Sequence, residues 1–390
     1  MITMSTADNA LKNVYLGVVS EQLNMNVNPL LAKIEKTSES VVGKEVHKVV
    51  TNGFNGGVGA GAEISGLPTA TGLNYILLKT DLRNLYGKIE ISDKAIRASS
   101  TTEGAFVNLL NAEMEGLINS GKFHLGRMLY GKGNGYLAKL TSLSEGSKVF
   151  GIDSMANIMV GMKVDLVVDG TRPEAFKNIE IEDWDIAKGT ITLSVPCDMD
   201  TELASTVEIY IHNAGREITG LGAICDTTNV TTLYGVDRTN VSWLKPTIDN
   251  VNSTSFTEAK MLEIIDKLDT NWNSKVDMIL MSQRMRRKYQ TLMANSRVNI
   301  DVMNLEGGYK ALSFNGVPVV ADRFVDEYDT YFVDSATLKL HQLCDWEWMS
   351  NDKGQILRQK EGYPVHTATL VKYAELICDK PAGIGYMKFK

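Results

Sequence analysis

Residues 100–129 read STTEGAFVNLLNAEMEGLINSGKFHLGRML, and they carry the strongest helical pattern in the chain. Ser100 stands three residues before Glu103, which is the spacing of a capping box at the start of a helix. Apolar residues then recur with a period close to 3.6 and predict one buried helix face. They are Phe106, Leu110, Met114, Leu117, Ile118, Leu125 and Met128. Because Gly116, Gly121 and Gly126 weaken a helix, we expect another element to pack close to its backbone.

The composition limits the number of domains and the class of protein. The 390 residues are 44% hydrophobic, enough for two or three domains with real cores. A formal net charge of −7 argues against broad electrostatic binding to nucleic acid. No segment reaches the roughly 18 apolar residues of a membrane span, and the N-terminus lacks a signal-peptide pattern, so neither export nor membrane insertion is expected.

Chemistry-bearing residues form no recognisable catalytic or metal-binding motif. The four cysteines are widely spaced, which predicts neither a disulfide framework nor a zinc site and suits a reducing compartment. None of the five histidines has a metal-ligand spacing to another ligand. The acidic run at Glu180, Glu182, Asp183 and Asp185 is more typical of a solvated strand face than of a cation site. We therefore predict no catalytic residue, no metal and no cofactor.

A glycine-rich loop follows the strand-like residues 45–51. Alternating apolar residues from Tyr75 to Ile91 predict a second extended segment, so residues 45–92 are expected to form a two-stranded arm closed by this loop. Gly57, Gly59 and Ala62 imitate a dinucleotide fingerprint. That fingerprint must open a helix, but Gly66, Pro68 and Gly72 follow instead, so a cofactor-binding enzyme is only a remote alternative.

Two further units are predicted beyond the long helix. Residues 143–215 contain five short alternating strand patterns separated by turn residues, which predict a small β-barrel or β-sandwich inserted into the chain. In residues 255–337, Ser255 with Glu258 suggests a helix start, Ser282 caps a second helix, and Asn315-Gly316 marks a hairpin. This pattern indicates an α/β unit. Before all of these, Pro29 divides two short helical patterns within residues 7–36.

Four segments carry a resemblance to a known family. They are ALKNVYLGVVSEQLN (residues 10–24), NGFNGGVGAGAEISGLP (52–68), YGKIEISDKAIRAS with GAFVNLLNAEMEGL (86–99 and 104–117), and LYGVDRTNVSWLKP (233–246). In this order they resemble the N-arm, the extended loop, the spine helix and the segment before the axial domain of Hong Kong 97-type major capsid proteins of tailed phages. The resemblance covers most of the chain except residues 143–215.

The resemblance implies an α+β capsid fold with defined parts. These are an N-terminal arm (1–44), an extended loop (45–92), a peripheral domain with the spine helix (93–142), an inserted all-β domain (143–215), a peripheral continuation (216–254), an axial α/β domain (255–337), and a strand-rich return to the peripheral domain (338–390). It also implies that the loop tip lies between subunits. The tip glycines are Gly53, Gly56, Gly57, Gly59, Gly61 and Gly66.

The function implied by the resemblance is structural and not enzymatic. Copies of the chain would form the hexamers and pentamers of an icosahedral shell around double-stranded DNA, assembled in the host cytoplasm and found in the virion. A separate scaffolding protein, a portal protein and non-specific contact with the packaged DNA are implied as partners. An encapsulin-type nanocompartment shell, which shares the fold but encloses proteins, is the alternative.

Overall fold

The computed structural model describes residues 28–53, 55–61, 63–64, 66, 68–94, 103–142, 146–196, 206–251, 256–295, 302–304, 310–350, 356 and 358–389. The capping residue Ser100 and the arm pattern before residue 28 lie outside these residues. Within the helix, the side chains of residues 103–112, and so those of Phe106 and Leu110, also lie outside the description.

The first half of the chain holds one long helix. The elements are α1 (Pro29–Lys33), β1 (Glu35–Thr37), β2 (Val41–Val42), β3 (Glu45–Asn52), β4 (Asn74–Asp81), β5 (Arg83–Ser92), α2 (Glu103–Tyr130), β6 (Tyr136–Ser142), β7 (Val149–Ile152), β8 (Lys163–Val168), β9 (Ile179–Asp185), β10 (Thr190–Leu193) and β11 (Val207–Ile211). With 28 residues, α2 is roughly 42 Å long.

The second half alternates helices and strands before a strand-rich end. The elements are α3 (Leu221–Cys225), β12 (Thr232–Leu233), β13 (Val236–Asp237), β14 (Thr247–Val251), α4 (Glu258–Trp272), β15 (Met278–Met281), α5 (Gln283–Asn295), β16 (Val302–Asn304), β17 (Lys310–Phe314), β18 (Val317–Ala321), β19 (Asp329–Val333), β20 (Leu338–Trp348), β21 (Arg358–Gln359), β22 (Val365–Cys378) and β23 (Gly385–Phe389).

Local signals set several of these boundaries. Pro29 begins α1, and Asn28 caps it by accepting a 2.8 Å hydrogen bond from the Leu31 amide, so the helical segment after the predicted break starts at this proline. Ser282 caps α5 through the Met285 amide, as predicted. The cap of α4 is Thr257, not Ser255, because its hydroxyl accepts from the Lys260 amide. Asn315 and Gly316 both have positive φ and form the predicted hairpin turn.

A five-stranded sheet lies beneath α2. Its order is β1-β20-β22-β21, and β5 pairs with β22 along its whole length, from Arg83 opposite Ala374 to Ser92 opposite Val365. The two-stranded arm that was predicted for residues 45–92 is therefore formed by β3 and β4 alone, and β5 belongs to the five-stranded sheet. The physical reason is the burial of Leu85, Ile89 and Ile91 in the same core as α2.

Gly87 on β5 lets α2 approach the sheet closely. A Cβ atom at this position would lie 2.8 Å from Leu117 Cδ1, so only glycine admits that side chain without movement. The prediction that another element packs close to the helix glycines is confirmed at Gly126, where the Phe324 ring occupies the space that a side chain would take. At Gly116 the same prediction is wrong, because no atom of the described residues would lie within 4 Å of an added Cβ.

A closed barrel follows α2, with strand order β10-β7-β6-β11-β8-β9. Its interior is filled by alternating residues such as Val164, Leu166, Ile181 and Ile209. The sequence pattern recognised five of these strands and began the unit at residue 143. The sixth, β6 (Tyr136–Ser142), pairs with both β7 and β11 and closes the barrel, because the turn after α2 leads directly into a strand.

A seven-stranded sheet, β14-β23-β19-β15-β18-β17-β16, packs against α4 and α5 around a second apolar core. Strands β14 and β23 lie outside the range 255–337 that was predicted for this α/β unit. They pair in parallel from Thr247 opposite Gly385 to Val251 opposite Phe389. The C-terminal strand therefore returns to this sheet and not only to the sheet under α2.

Candidate functional site

Strands β3 and β4 form an antiparallel hairpin paired from Glu45 opposite Asp81 to Asn52 opposite Asn74. One face packs on a small core through Val46 and Leu78, which are fully buried. On the opposite face, Val49 stands beside Leu77, and they are 58% and 47% exposed. Tyr75 continues this row at 68% exposed. The hairpin thus carries a row of apolar side chains that the described part of the chain leaves exposed.

The glycine-rich connection between the two strands contains all six predicted tip glycines. Gly53 has φ +108°, a conformation that favours glycine. The loop holds itself by two short contacts, in which the Gly56 amide donates to Thr71 Oγ1 at 2.7 Å and the Gly57 amide to Asn55 Oδ1 at 2.9 Å. Ile64, at 97% exposed, projects from it. The loop leads into β4 and not into a helix, so it lacks the phosphate-binding geometry of a dinucleotide site.

Tyr234 and Gly235 anchor the base of the hairpin. The Lys79 amide donates to the Tyr234 carbonyl at 2.9 Å, and Gly235, with φ +76°, brings its backbone against the Lys79 carbonyl. The Tyr234 hydroxyl in turn donates to the Leu376 carbonyl at 3.0 Å on β22. Sequence patterns missed this anchor, although Tyr234-Gly235 lies within the segment LYGVDRTNVSWLKP.

Side chains of α2 alternate between the core and solvent as the 3.6-residue period requires. Met114, Ile118 and Leu125 are buried, and Leu117 and Met128 pack against the same cluster. The structure therefore places these five predicted residues together on the sheet side of the helix. Glu115 and Asn119 lie on the exposed side.

A cavity of about 920 Å³ opens between α2 and the barrel. Its walls come from β5, the middle of α2, residues 159–163 and 211–213 of the barrel, and residues 216–217 that follow it. Leu370 and Trp346 from the sheet also line it. Sequence patterns gave no signal for this cavity, because its walls are far apart along the chain.

The ionisable groups around the cavity are mostly paired or uncharged. Arg127 and Glu217 form a buried ion pair that ties α2 to the segment after the barrel, with Nη1 and Oε2 3.1 Å apart. Burial, together with the Arg127 charge, lowers the pKa of His124 to about 4, so this side chain is neutral at pH 7. Arg216 is exposed, and its guanidinium forms no ion pair with the described residues.

Glu375 is fully buried where β5, β22 and the segment after the barrel meet. It accepts from Arg83 Nε at 3.1 Å and from the backbone amide of Thr219 at 2.7 Å. Burial raises its pKa to about 7, against the lowering effect of these donors. The folded chain therefore binds a proton at this position between about pH 4.5 and 7 that the unfolded chain releases.

We expect this carboxyl to make the chain less stable as pH rises. Because the folded pKa lies above the unfolded value, the stability associated with the protonated form is present below pH 4.5 and is lost as pH rises through 7. The loss is about 3 kcal/mol. Urea unfolding at pH 5 and pH 8 measures it. In Glu375→Gln the free energy of unfolding should fall much less between pH 5 and pH 8. A smaller fall remains because burial also raises the pKa of Asp329, to about 6. An equal fall in the free energy of unfolding between pH 5 and pH 8 in both proteins would contradict this assignment.

Possible metal ligands lie apart from one another in the described part of the chain. It contains no group of three or more His, Cys, Asp or Glu side chains that could hold a metal ion. The thiols of Cys225 and Cys378 are buried, and burial raises the pKa of both, which disfavours a nucleophilic thiolate. None of the described helices is both long and apolar enough to span a membrane.

Comparison with solved structures identifies the fold. A chain of the cyanophage A-1(L) capsid asymmetric unit superimposes with a TM-score of 0.52 and 13% identity, covering 94% of this chain and 91% of that chain. The chain therefore has the fold of a phage capsid protein. The Hong Kong 97-type resemblance that the sequence suggested is confirmed at the level of the fold.

Two further structures are similar at lower scores. The capsid of Myoviridae phage XM1 gives a TM-score of 0.46 and 10% identity, over 94% of this chain and 92% of that chain. The holo-SrpI encapsulin complex of Synechococcus elongatus PCC 7942 gives 0.47 and 7%, over 93% and 88%. No protein-family model and no curated protein matches the sequence.

Proposed function

We propose that this chain is the major capsid protein of a tailed bacteriophage and has a structural, non-enzymatic role. One observation carries the proposal: on a chain with a capsid fold, the β3–β4 hairpin presents Val49, Leu77 and Tyr75 on a face that the described residues leave exposed. Contiguous exposed apolar side chains mark interaction surfaces. A neighbouring subunit is the partner that a shell supplies, and assembly then provides the missing burial.

The elements fit the parts of such a subunit. In this proposal α2 is the spine helix of a peripheral domain, the seven-stranded sheet with α4 and α5 is the axial domain, and the hairpin with its glycine-rich tip is the extended loop. Copies assemble into hexamers and pentamers of an icosahedral shell in the host cytoplasm and remain in the virion. A net charge of −7 suits a lining that packaged DNA slides past, touching it without sequence specificity. A separate scaffolding protein and a portal protein complete the proposed partners.

Particle size and content test this function. The purified chain should form megadalton particles by light scattering, and particles from the native source should contain DNA and carry tails in electron micrographs. Particles filled with protein would indicate an encapsulin-type compartment instead. A monomer that retains a bound nucleotide in absorbance and mass spectra would point to a cofactor-binding enzyme and contradict a shell role.

Stiffening the hairpin tip should impair assembly without unfolding the subunit. Valine at Gly57, Gly59 and Gly61 restricts the backbone, and a Cβ at Gly57 would already lie 3.1 Å from the Asn55 side chain that holds the loop. We expect particle yield to fall severely in light scattering, while the free energy of unfolding changes by less than about 0.5 kcal/mol. A matched control places valine at Ala60 and Thr69, exposed loop positions that are not glycine. Normal particles from the glycine variant would contradict the assignment.

We also propose that the barrel is an insertion on the capsid fold, carried on the outer surface of the shell. Tyr136 at the start of β6 pairs with Tyr210 near the end of β11, so the chain enters and leaves the barrel at neighbouring points. Insertion domains need such adjacent ends. The barrel interior is continuous with the core around α2, so we expect its independent stability to be only a few kcal/mol.

Two fragments test whether the barrel folds by itself. Residues 136–215 should show a cooperative thermal melt and dispersed amide resonances, because all six strands are present. Residues 143–215 lack β6, which leaves β7 and β11 with unpaired edges, and should not melt cooperatively. Disorder in both fragments would defeat the claim of independence, and a particle map with the barrel inside the shell would defeat the claim of exposure.

A further inference from the structure

Helix α5 carries a concentrated positive charge in a chain whose formal net charge is −7. Its sequence, QRMRRKYQTLMAN, contains four basic residues and no acidic residue. The basic residues are Arg284, Arg286, Arg287 and Lys288, all in the first half of the helix. Arg284 and Arg286 lie in the first turn, where a cation opposes the helix dipole and costs free energy. An anion bound from outside the chain would remove this cost.

The described residues balance only part of this charge. Arg284 Nη1 lies 2.8 Å from Glu327 Oε1, and Lys288 Nζ lies 5.6 Å from the centre of an aromatic ring. Arg286 and Arg287 form no ion pair with the described residues, and the Arg287 side chain is exposed. The surface of α5 therefore keeps a positive charge that a partner can neutralise.

The exposed side of α5 is polar wherever its side chains are described. Gln283, Gln290 and Thr291 are exposed together with Arg287, whereas apolar side chains such as Met285 turn into the core of the seven-stranded sheet. Protein partners are held mainly by apolar and aromatic anchors, while phosphate groups are bound by cations and polar donors alone. This side of α5 therefore fits a phosphate polymer better than a protein.

The spacing of the charges matches that of duplex DNA. From residue 284 to residue 288 the helix advances about 6 Å, at about 1.5 Å per residue. Double-stranded DNA carries one negative charge per about 1.7 Å, so about three or four phosphates occupy the same length. Three of the four basic residues are arginine, whose planar guanidinium donates two parallel hydrogen bonds to a phosphate.

We propose that the α5 surface, formed by Arg284, Arg286, Arg287 and Lys288, is where each subunit contacts the phosphate backbone of packaged double-stranded DNA. Gln283 adds a further hydrogen-bond donor. The inference rests on the proposed shell function, which supplies the DNA, and deepens it by assigning the contact to one helix that faces the interior. Because the chain is acidic overall, the contact stays local and lets the duplex slide.

The salt dependence of DNA binding tests the contact. Full-length subunits are titrated before assembly with a short fluorescent duplex, and anisotropy gives the association constant between about 50 and 200 mM salt. One variant combines Arg286→Gln with Arg287→Gln. The matched control combines Lys163→Gln with Lys177→Gln, which removes the same charge from the barrel, where each lysine already pairs with a glutamate. Circular dichroism checks that both variants fold.

The logarithm of the association constant should fall less steeply with the logarithm of the salt concentration in the α5 variant. We expect the slope to become less negative by about 1.8, because each lost phosphate contact removes about 0.9. The barrel variant should keep the parent slope. As a second readout that needs no variant, formaldehyde cross-linking of DNA-filled parent particles and mass spectrometry should join nucleotides to Lys288 and not to Lys177.

The outcomes separate this contact from the shell function. An unchanged slope, or full particles in which Lys288 is not cross-linked to DNA, overturns the contact and leaves the shell function intact. An α5 variant that binds DNA like the parent but no longer recruits a scaffolding protein also overturns it, because α5 then serves a protein partner. Parent particles that contain protein and no DNA overturn the phage-shell function itself.

Discussion

Replacing Gly220 with alanine is expected to destabilise the folded chain by about 3 kcal/mol or more. Gly220 lies against the C-terminal end of α2, and an added Cβ would stand 2.6 Å from the Gly131 carbonyl oxygen and 2.7 Å from that of Leu129, with Met128 closer still. These are backbone atoms at the end of a long helix, so they cannot rotate away. The backbone of Gly220 has φ −84°, which alanine adopts freely, so the expected cost is purely steric.

Gly116 provides the matched control for this substitution. It is exposed within α2, and a Cβ there would meet nothing within 4 Å. Gly116→Ala should therefore stabilise the chain by up to about 1 kcal/mol through helix propensity alone. Urea unfolding followed by circular dichroism measures both variants. If Gly220→Ala were as stable as the parent protein, the packing of residues 220–222 on the helix end would be refuted.

Replacing Ile118 with aspartate should abolish soluble subunits. Ile118 is 6% exposed in the core between α2 and the five-stranded sheet, and an unpaired carboxylate there costs several kcal/mol. Asn119→Asp adds the same charge one residue further along, on the exposed side of the helix, and should change stability by less than about 0.5 kcal/mol. Soluble yield and thermal melting give the comparison.

The two aspartate variants are informative only as a pair. Loss of folding in Ile118→Asp with a normal Asn119→Asp shows that α2 has one buried face. Equal damage in both would mean that the helix is enclosed on all sides, and equal tolerance would mean that the apolar stripe is not buried. The predicted stripe residues Phe106 and Leu110 lie outside the described side chains, so the same test at Leu110 extends the prediction toward the start of the helix.

The sequence by itself determined the features that depend on neighbouring residues. The apolar period predicted α2, Asn315-Gly316 predicted a hairpin turn with positive φ, and Ser282 predicted a helix cap. In each case the deciding interactions lie within a few residues of one another, so a local pattern is sufficient. The order of such local patterns was also enough to recognise the capsid fold.

The tertiary structure alone decided which strands pair and what they enclose. Strand β5 continues the alternation of β4 in sequence, yet it pairs with β22 because Leu85, Ile89 and Ile91 are buried under α2. Likewise β6 closes the barrel, and β23 returns to the seven-stranded sheet. A strand pattern states that one face is apolar but does not state which distant strand covers it. The cavity beside Trp346 and the anchoring of the hairpin by Tyr234 follow from those long-range pairings, so they appear only in the folded chain.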